Sequence, residues 1–321
     1  MGLFSNVFVI FTVFFQQLTS AFQPRNAPRI ATSEMFMNGD LFKESNSDNT
    51  ALSPDSLKPQ RYIATNRFKV RKDASPKFEK RWAERKSRLA NLDGFRFFTL
   101  LRRVNLDGTE YANELGNYMS MTVWEDKDSF KTWLSGDAFK EAHGGGGIGG
   151  FIGLLTTALF ILDGGPKPAF YDGLLPLFNA EASLPTTKTQ EGWSAMEADG
   201  VTLLEPDVYV AQNRCKVSAG NELKFESLWA NRKSNLMTYA GFIGFYLQRR
   251  DATKADDGYN FVTSAIWKDR ASYMAWRTVQ PERIISTKPE NAAPDGRGMF
   301  DGAPELAFYE GKLTLLSPLG A

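Results

Sequence analysis

Thr65-Asn66-Arg67-Phe68-Lys69-Val70 returns as Gln212-Asn213-Arg214-Cys215-Lys216-Val217, and this echo decides the fold. Outward from it, Trp82-Ala-Glu-Arg-Lys-Ser-Arg-Leu89 returns as Trp229-Ala-Asn-Arg-Lys-Ser-Asn-Leu236. Gly94-Phe95 through Arg102-Arg103 returns as Gly241-Phe242 through Arg249-Arg250. The offset is 147 over these three blocks. It falls to 143 for Thr122-Val-Trp124-Glu-Asp against Ala265-Ile-Trp267-Lys-Asp, and for Trp133 against Trp276. The intervening hairpin loop is therefore four residues shorter in the second copy. Ala169-Phe-Tyr-Asp-Gly173 returns as Ala307-Phe-Tyr-Glu-Gly311. Six of the seven tryptophans are paired in this way, and only Trp193 has no counterpart. Such agreement identifies two copies of one domain.

Each copy carries the same succession of signals. Residues 61–71 read as a strand. Ser75-Pro76 supplies an N-cap and a favoured first helical residue, and Phe78, Trp82 and Leu89 share a face of the helix that follows. Gly94 ends it. Phe95–Leu101 is a second strand, Asp107-Gly108 a turn, and Tyr118–Trp124 a third strand. Asp126 caps a second helix bearing Phe130, Trp133 and Leu134, and residues 167–175 form the last strand. The order βαββαβ is ferredoxin-like. The expected class is α+β: two tandem ferredoxin-like domains, 60–175 and 206–315, joined by a linker, 176–205. They pack sheet to sheet under pseudo-two-fold symmetry as an intramolecular pseudo-dimeric barrel.

Composition narrows the function. A net charge of +1 argues against a nucleic-acid partner. A single cysteine, Cys215, excludes an intramolecular disulfide and any cysteine-rich zinc or iron–sulfur site. Leu3–Phe15 is apolar, of signal-peptide length and too short to span a bilayer. Residues 1–21 are accordingly expected to be a signal peptide. Ala21-Phe22-Gln23-Pro24 resembles the junction of two-part presequences in algae with complex plastids. Residues 22–58, rich in Ser, Asn, Pro and Met, read as a transit or disordered segment. The expected location is the plastid stroma, with the secretory pathway as the alternative.

The chain has one histidine, His143, at the end of the run from Trp133 and directly before four glycines. Imidazole is the commonest metal and haem ligand, and glycine admits a close approach of backbone to a flat ligand. Taken alone, a surface or helix-end histidine is the favoured reading of it. On one straight helix Trp133 and His143 would be separated by roughly 15 Å and about 80°. Ser135-Gly136-Asp137 interrupts that helix, so the second piece can fold back. Asn66, on the first strand, then joins them at one cavity. The second copy keeps Asn213 and Trp276 but has Ser286 where equal spacing places the histidine. Asn and Trp therefore also admit structural readings, as backbone hydrogen-bonder and core. The stretch after His143, with Ile148–Leu162 apolar, reads as a lid, a buried helix or, last, a membrane contact, and no stable membrane span is expected.

Asn66-Arg67, the Thr-Val-Trp motif, the Phe-x-x-Trp133 helix and the Phe-Lys-x-Ala-His143 ending resemble the antibiotic biosynthesis monooxygenase superfamily, and within it the haem-degrading IsdG type. The resemblance covers both repeats. It implies that His143 ligates haem iron, that Asn66 gives a hydrogen bond to dioxygen or another ligand beside the iron, and that Trp133 presses on the porphyrin. Haem would be cofactor and substrate together, consumed with O2 and an external electron donor such as plastid ferredoxin or ascorbate. One haem site per chain is expected, the second repeat replacing the partner subunit. Arg102, Arg103 and Lys69 are basic residues placed to meet propionates, but strand-end charges are usually just solvated. Two other readings stay open: a haem carrier or sensor without turnover, and a cofactor-free oxygenase acting on a quinol or other aromatic.

Overall fold

Alternation along the first strand, β1 (Arg61–Phe68), sorts its side chains to two sides. Ile63 joins a buried cluster with Met121, Val210 and Ile266 drawn from both repeats, while Tyr62 and Phe68 meet helix-borne rings on the opposite face. The computed structural model describes residues 54–85, 88–111, 116–142, 160–182, 189–190, 192–252, 256–279 and 298–317.

The first repeat continues as helix α1 (Ser75–Ala83), β2 (Phe95–Val104), β3 (Tyr118–Trp124), α2 (Lys127–Ser135), the short α3 (Asp137–Ala142) and β4 (Lys167–Phe178). Two short strands, β5 (Thr189–Gln190) and β6 (Trp193–Ser194), form a hairpin in the linker. The second repeat follows as β7 (Val208–Cys215), α4 (Glu222–Ala230), β8 (Phe242–Arg250), β9 (Phe261–Trp267), α5 (Arg270–Thr278) and β10 (Glu305–Leu316).

Eight strands close into one antiparallel barrel in the order β1-β3-β2-β10-β7-β9-β8-β4. Each repeat's last strand serves both halves. β4 pairs with β1 of its own repeat and with β8 of the other, and β10 pairs with β7 and with β2. Closure leaves no unpaired sheet edge. The dual pairing requires a bend, and register shifts occur at Leu174/Leu177 and Lys312/Leu315. Leu175 and Leu313 take positive φ of 48° and 55° at these equivalent irregularities, where an extra residue re-aims the strand.

Ion pairs stitch the two seams alike. Across β2–β10, Arg102 binds Glu310; across β8–β4, Arg249 binds Asp172 at 2.8 Å. Inside the barrel Arg67 and Arg214 share Asp257, at 2.9 and 2.7 Å, and Arg103 and Arg214 share Glu305. The segments leading into each repeat are latched reciprocally. Leu204 donates its N–H to Glu79 of α1 at 2.6 Å, and Leu57 donates its N–H to Glu226 of α4 at 2.7 Å.

Several elements differ in detail from the sequence reading. Ser75 is the first residue inside α1 rather than its cap: Ala74 takes the cap position, and no side chain caps the helix there. Leu89 is buried from a separate 3-10 turn, the helix having ended at Ala83. β1 stops at Phe68, whereas β2 and β4 run on to Val104 and Phe178. The linker is part of the body: Trp193 is buried, donates Nε1–H to the Trp82 carbonyl and lies against Phe98 at 4.7 Å. Leu57, on the leader side of the expected boundary at 58, docks on Glu226. Residues 1–53 lie outside the described residues, as does the apolar stretch up to residue 159. Leu162, which ends that stretch, is buried and bridges Val70.

Candidate functional site

Even-numbered β1 residues face the helices, and this places Asn66. Tyr62, Ala64 and Asn66 lie in register with Trp124, Thr122 and Ser120 of β3 and with Asp172, Phe170 and Pro168 of β4. Around Asn66 the sheet is floored by small residues: Ala64, Ser120, Thr122 and Pro168. Ala64, Asn66, Ser120 and Phe170 are all half-buried, so the sheet face there is incompletely covered.

Helix α2 brings Trp133 to the same side of the sheet. Asp126 caps it by accepting from the Ser129 N–H at 2.7 Å. Ahead of the cap the chain passes Gly94, whose φ is 74° and where a Cβ would meet Ser129 Oγ at 2.3 Å, so only glycine fits. Phe130 packs on Tyr62 and Phe170 at 5.3 and 5.7 Å. Trp133 packs on Phe130 at 5.8 Å and on Trp124 at 5.3 Å. The break falls where the sequence places it: α2 ends at Ser135, Gly136 is extended, and α3 starts at Asp137. Phe139 of α3 meets Trp133 edge-on at 5.0 Å, a contact that residues six apart on a straight helix cannot make. His143 follows Ala142, the last residue of α3, and lies outside the described residues. The structure thus places Asn66 on the floor and Trp133 on the helix above the same sheet face.

Among the described residues, two polar atoms here have no partner. Asn66 Oδ1 and Trp133 Nε1 are buried without a hydrogen bond. Each such atom costs about 1–3 kcal/mol in a folded protein, a demand that a ligand can meet. Trp124 Nε1 shares this condition, so a lone indole is not diagnostic. The second repeat is the control. Asn213 Oδ1 is likewise unsatisfied, and Trp276 stands on Trp267 and Tyr273 at 5.5 and 5.8 Å, but Trp276 Nε1 is not among the buried unsatisfied atoms. Ser286 lies outside the described residues.

The electrostatic surroundings are acidic and structural. Burial raises the Asp172 carboxyl above its usual range, against the opposing Arg249 guanidinium, and burial together with Asp251 pushes the Tyr62 phenol far up. Burial also raises the Cys215 thiol to about 12, which makes it inert. The three basic residues considered for carboxylate contact are engaged elsewhere. Lys69 pairs with Asp163 at the surface, while Arg102 and Arg103 are largely buried in inter-repeat ion pairs, not solvated. Among the described residues no cluster of three His, Cys, Asp or Glu side chains is placed to hold a metal ion, and no helix is long and apolar enough to cross a membrane.

Sequence reading missed Asp251, at the end of β8 in the second repeat. It accepts from the Tyr62 hydroxyl at 2.9 Å and from Lys127 Nζ at 2.6 Å, and so touches the base of α2. Nothing in a linear repeat marks a contact between copies.

The family described as antibiotic biosynthesis monooxygenase matches residues 61–145 and again 208–280. A Staphylococcus saprophyticus protein named heme oxygenase (staphylobilin-producing) is 31% identical over 84 residues, covering 26% of this chain and 74% of that protein. Among solved structures, a candidate monooxygenase of Fusobacterium nucleatum aligns with a TM-score of 0.49 at 13% identity, over 81% of this chain and 96% of that one. A candidate monooxygenase of Lactobacillus acidophilus aligns at 0.48 and 10% identity, over 80% and 96%.

Proposed function

Because the chain belongs to the antibiotic biosynthesis monooxygenase family, and within it to the IsdG type, we propose that it binds haem at its first repeat and degrades it with dioxygen and an external reductant. The products are released iron and an opened tetrapyrrole. The observation that carries this reading is the pair Asn66 and Trp133 on one sheet face, each with a buried polar atom awaiting a partner. The small-residue floor of Ala64, Ser120 and Thr122 suits a flat ligand, and α3 folds back onto Trp133 immediately ahead of His143. The similarity to the Staphylococcus saprophyticus protein named heme oxygenase supports it.

In this reading His143 is the residue that would hold the iron, through a neutral imidazole nitrogen. When bound, haem supplies both the redox chemistry and the carbon skeleton that is oxidised. The chain's own residues orient and shelter it. Asn66 presents an amide, which carries both donor and acceptor and does not titrate. Trp133, held by Trp124, Phe130 and Phe139, would offer a stiff aromatic face for a porphyrin to rest on. The reductant we propose is of the ferredoxin or ascorbate class, and the location a complex plastid reached through residues 1–58; both rest on the sequence.

The test is a haemin titration of wild type beside His143→Ala, followed by reductant in air. A stoichiometric Soret band that is absent in the mutant, and that bleaches with iron release, is the expected result. A His143-dependent band that survives reductant and oxygen makes the protein a carrier or sensor. No His143-dependent band removes haem and leaves a cofactor-free oxygenase of the same family.

A further inference from the structure

The two repeats support their candidate sites unequally, and the difference lies in the neighbouring repeat. In the first, Tyr62 and Lys127 converge on Asp251, a residue of the second repeat. The backbone N–H of Asp251 also donates to the Phe170 carbonyl at 2.9 Å, so the acid is fixed on the strand that floors the site. Lys127 is the first residue of α2, and its ammonium lies 5.6 Å from the Tyr62 ring. Tyr62 touches Phe130, and Phe130 touches Trp133. An unbroken set of contacts therefore runs from an acid of one repeat to the indole of the other.

The second repeat has Tyr209 and Arg270 in the places of Tyr62 and Lys127. The position that corresponds to Asp251 is Val104, which is buried and has no acceptor. Among the described residues, Tyr209's hydroxyl is buried without a partner, and Arg270 donates to the Leu106 carbonyl. Beside it lies a groove of about 370 Å3 lined by Asn105, Leu106, Asp107, Arg270 and Met274. An acid of the other repeat bonds both the tyrosine and the helix on the side that keeps the full Asn–Trp–His set; on the side that has lost it, the exposed Asp107 lies near Arg270, but among the described residues no acid bonds Tyr209 and Arg270 together.

We infer that Asp251 is a positioning residue contributed by the second repeat to the first repeat's site: it fixes α2, and through Tyr62 and Phe130 it fixes Trp133. The second repeat is then an asymmetric support, with a residue that no identical partner copy would offer. The link from Asp251 to ligand binding rests on the haem reading, but the link from Asp251 to α2 does not.

The experiment uses the full chain and two readouts. Amide deuterium uptake across residues 127–142 is compared with that across 270–278, without ligand, in wild type, Asp251→Ala and Asp251→Glu. Haemin is then titrated into each. The expected result for Asp251→Ala is uptake at least about threefold faster in 127–142 and unchanged in 270–278, haemin affinity lower by about tenfold, a displaced Soret maximum, and recovery toward wild type in Asp251→Glu. Unchanged uptake in 127–142 overturns the inference. An equal rise in 270–278 also overturns it, since the acid would then only stabilise the barrel. Faster uptake in 127–142 with an unaltered haemin affinity and spectrum overturns its bearing on the site. If wild type takes up no haemin, the haem reading fails and the exchange comparison alone decides whether Asp251 positions α2. Should Asp251→Ala not fold, Tyr62→Phe and Lys127→Met each remove one of its bonds, and the same exchange pattern is expected from both.

Discussion

At the residue scale the molecule contains its own comparison. Asn66 and Asn213 occupy equivalent strand positions and are both unsatisfied at Oδ1, yet only Asn66 shares its sheet face with an unsatisfied Trp133. On the proposed haem reading, Asn66→Ala is therefore expected to lower turnover by about 10–100-fold, the loss of one hydrogen bond of roughly 1.5–3 kcal/mol made during reaction. Haemin affinity is expected to stay within about threefold of wild type. Asn213→Ala is expected to leave turnover and affinity at the first repeat unchanged, and single-turnover absorbance traces check both. The placing of Asn66 on the first strand and of Trp133 on the helix after Asp126 was legible in the sequence from residue type and spacing, while His143 lies outside the described residues. Asp251 was not legible, because its importance comes from Tyr62 and Lys127 in the other copy.

At the element scale the strands were read more closely than the segments between them. β3 runs over Tyr118–Trp124 as its alternation indicates, and Asp126 and Asp269 cap equivalent helices through Ser129 and Ser272. The linker was read as a joint between the two copies, and the lead-in to β1 as a leader segment outside them. What holds them is a pair of buried glutamates, Glu79 and Glu226, each taking a backbone N–H from the other repeat's lead-in. Glu226 also binds Arg249 at 2.8 Å. Glu226→Ala leaves the Leu57 N–H without its partner and weakens the hold on Arg249. It is expected to cost about 2–4 kcal/mol, seen as a lower urea midpoint with an unchanged slope.

At the scale of the whole molecule, repetition made the architecture readable, while the closing of two sheets into one barrel depends on bends at Leu175 and Leu313 that no periodicity announces. Either repeat alone would expose β2 and β4, or β8 and β10, as open edges. A chain ending at residue 205 is expected to dimerise or aggregate, and sedimentation distinguishes it from a monomer. Acid should open the barrel from its ion pairs. Asp256, Glu305 and Glu310 sit below their usual values, held there by Arg67 and Arg250, by Arg103 and Arg214, and by Arg102 and Lys312 against the opposing effect of burial. A depressed carboxylate stabilises the fold above its unfolded value and loses that contribution as pH falls through its folded value. Asp172 and Asp207, raised by burial, act in the opposite sense. Melting temperature should therefore decline below about pH 4.5, and Glu305→Gln should flatten that decline.

The reciprocal latch and the shared strands also set an order in time. Leu57 is made 169 residues before the glutamate that receives it. At roughly 5–20 residues per second on the ribosome, that wait is on the order of 10–30 s. β2 waits longer still, for β10, which is the last strand of the barrel. During synthesis the first repeat therefore remains an open curved sheet that nothing of its own can close, and the barrel becomes whole only when its final strand arrives.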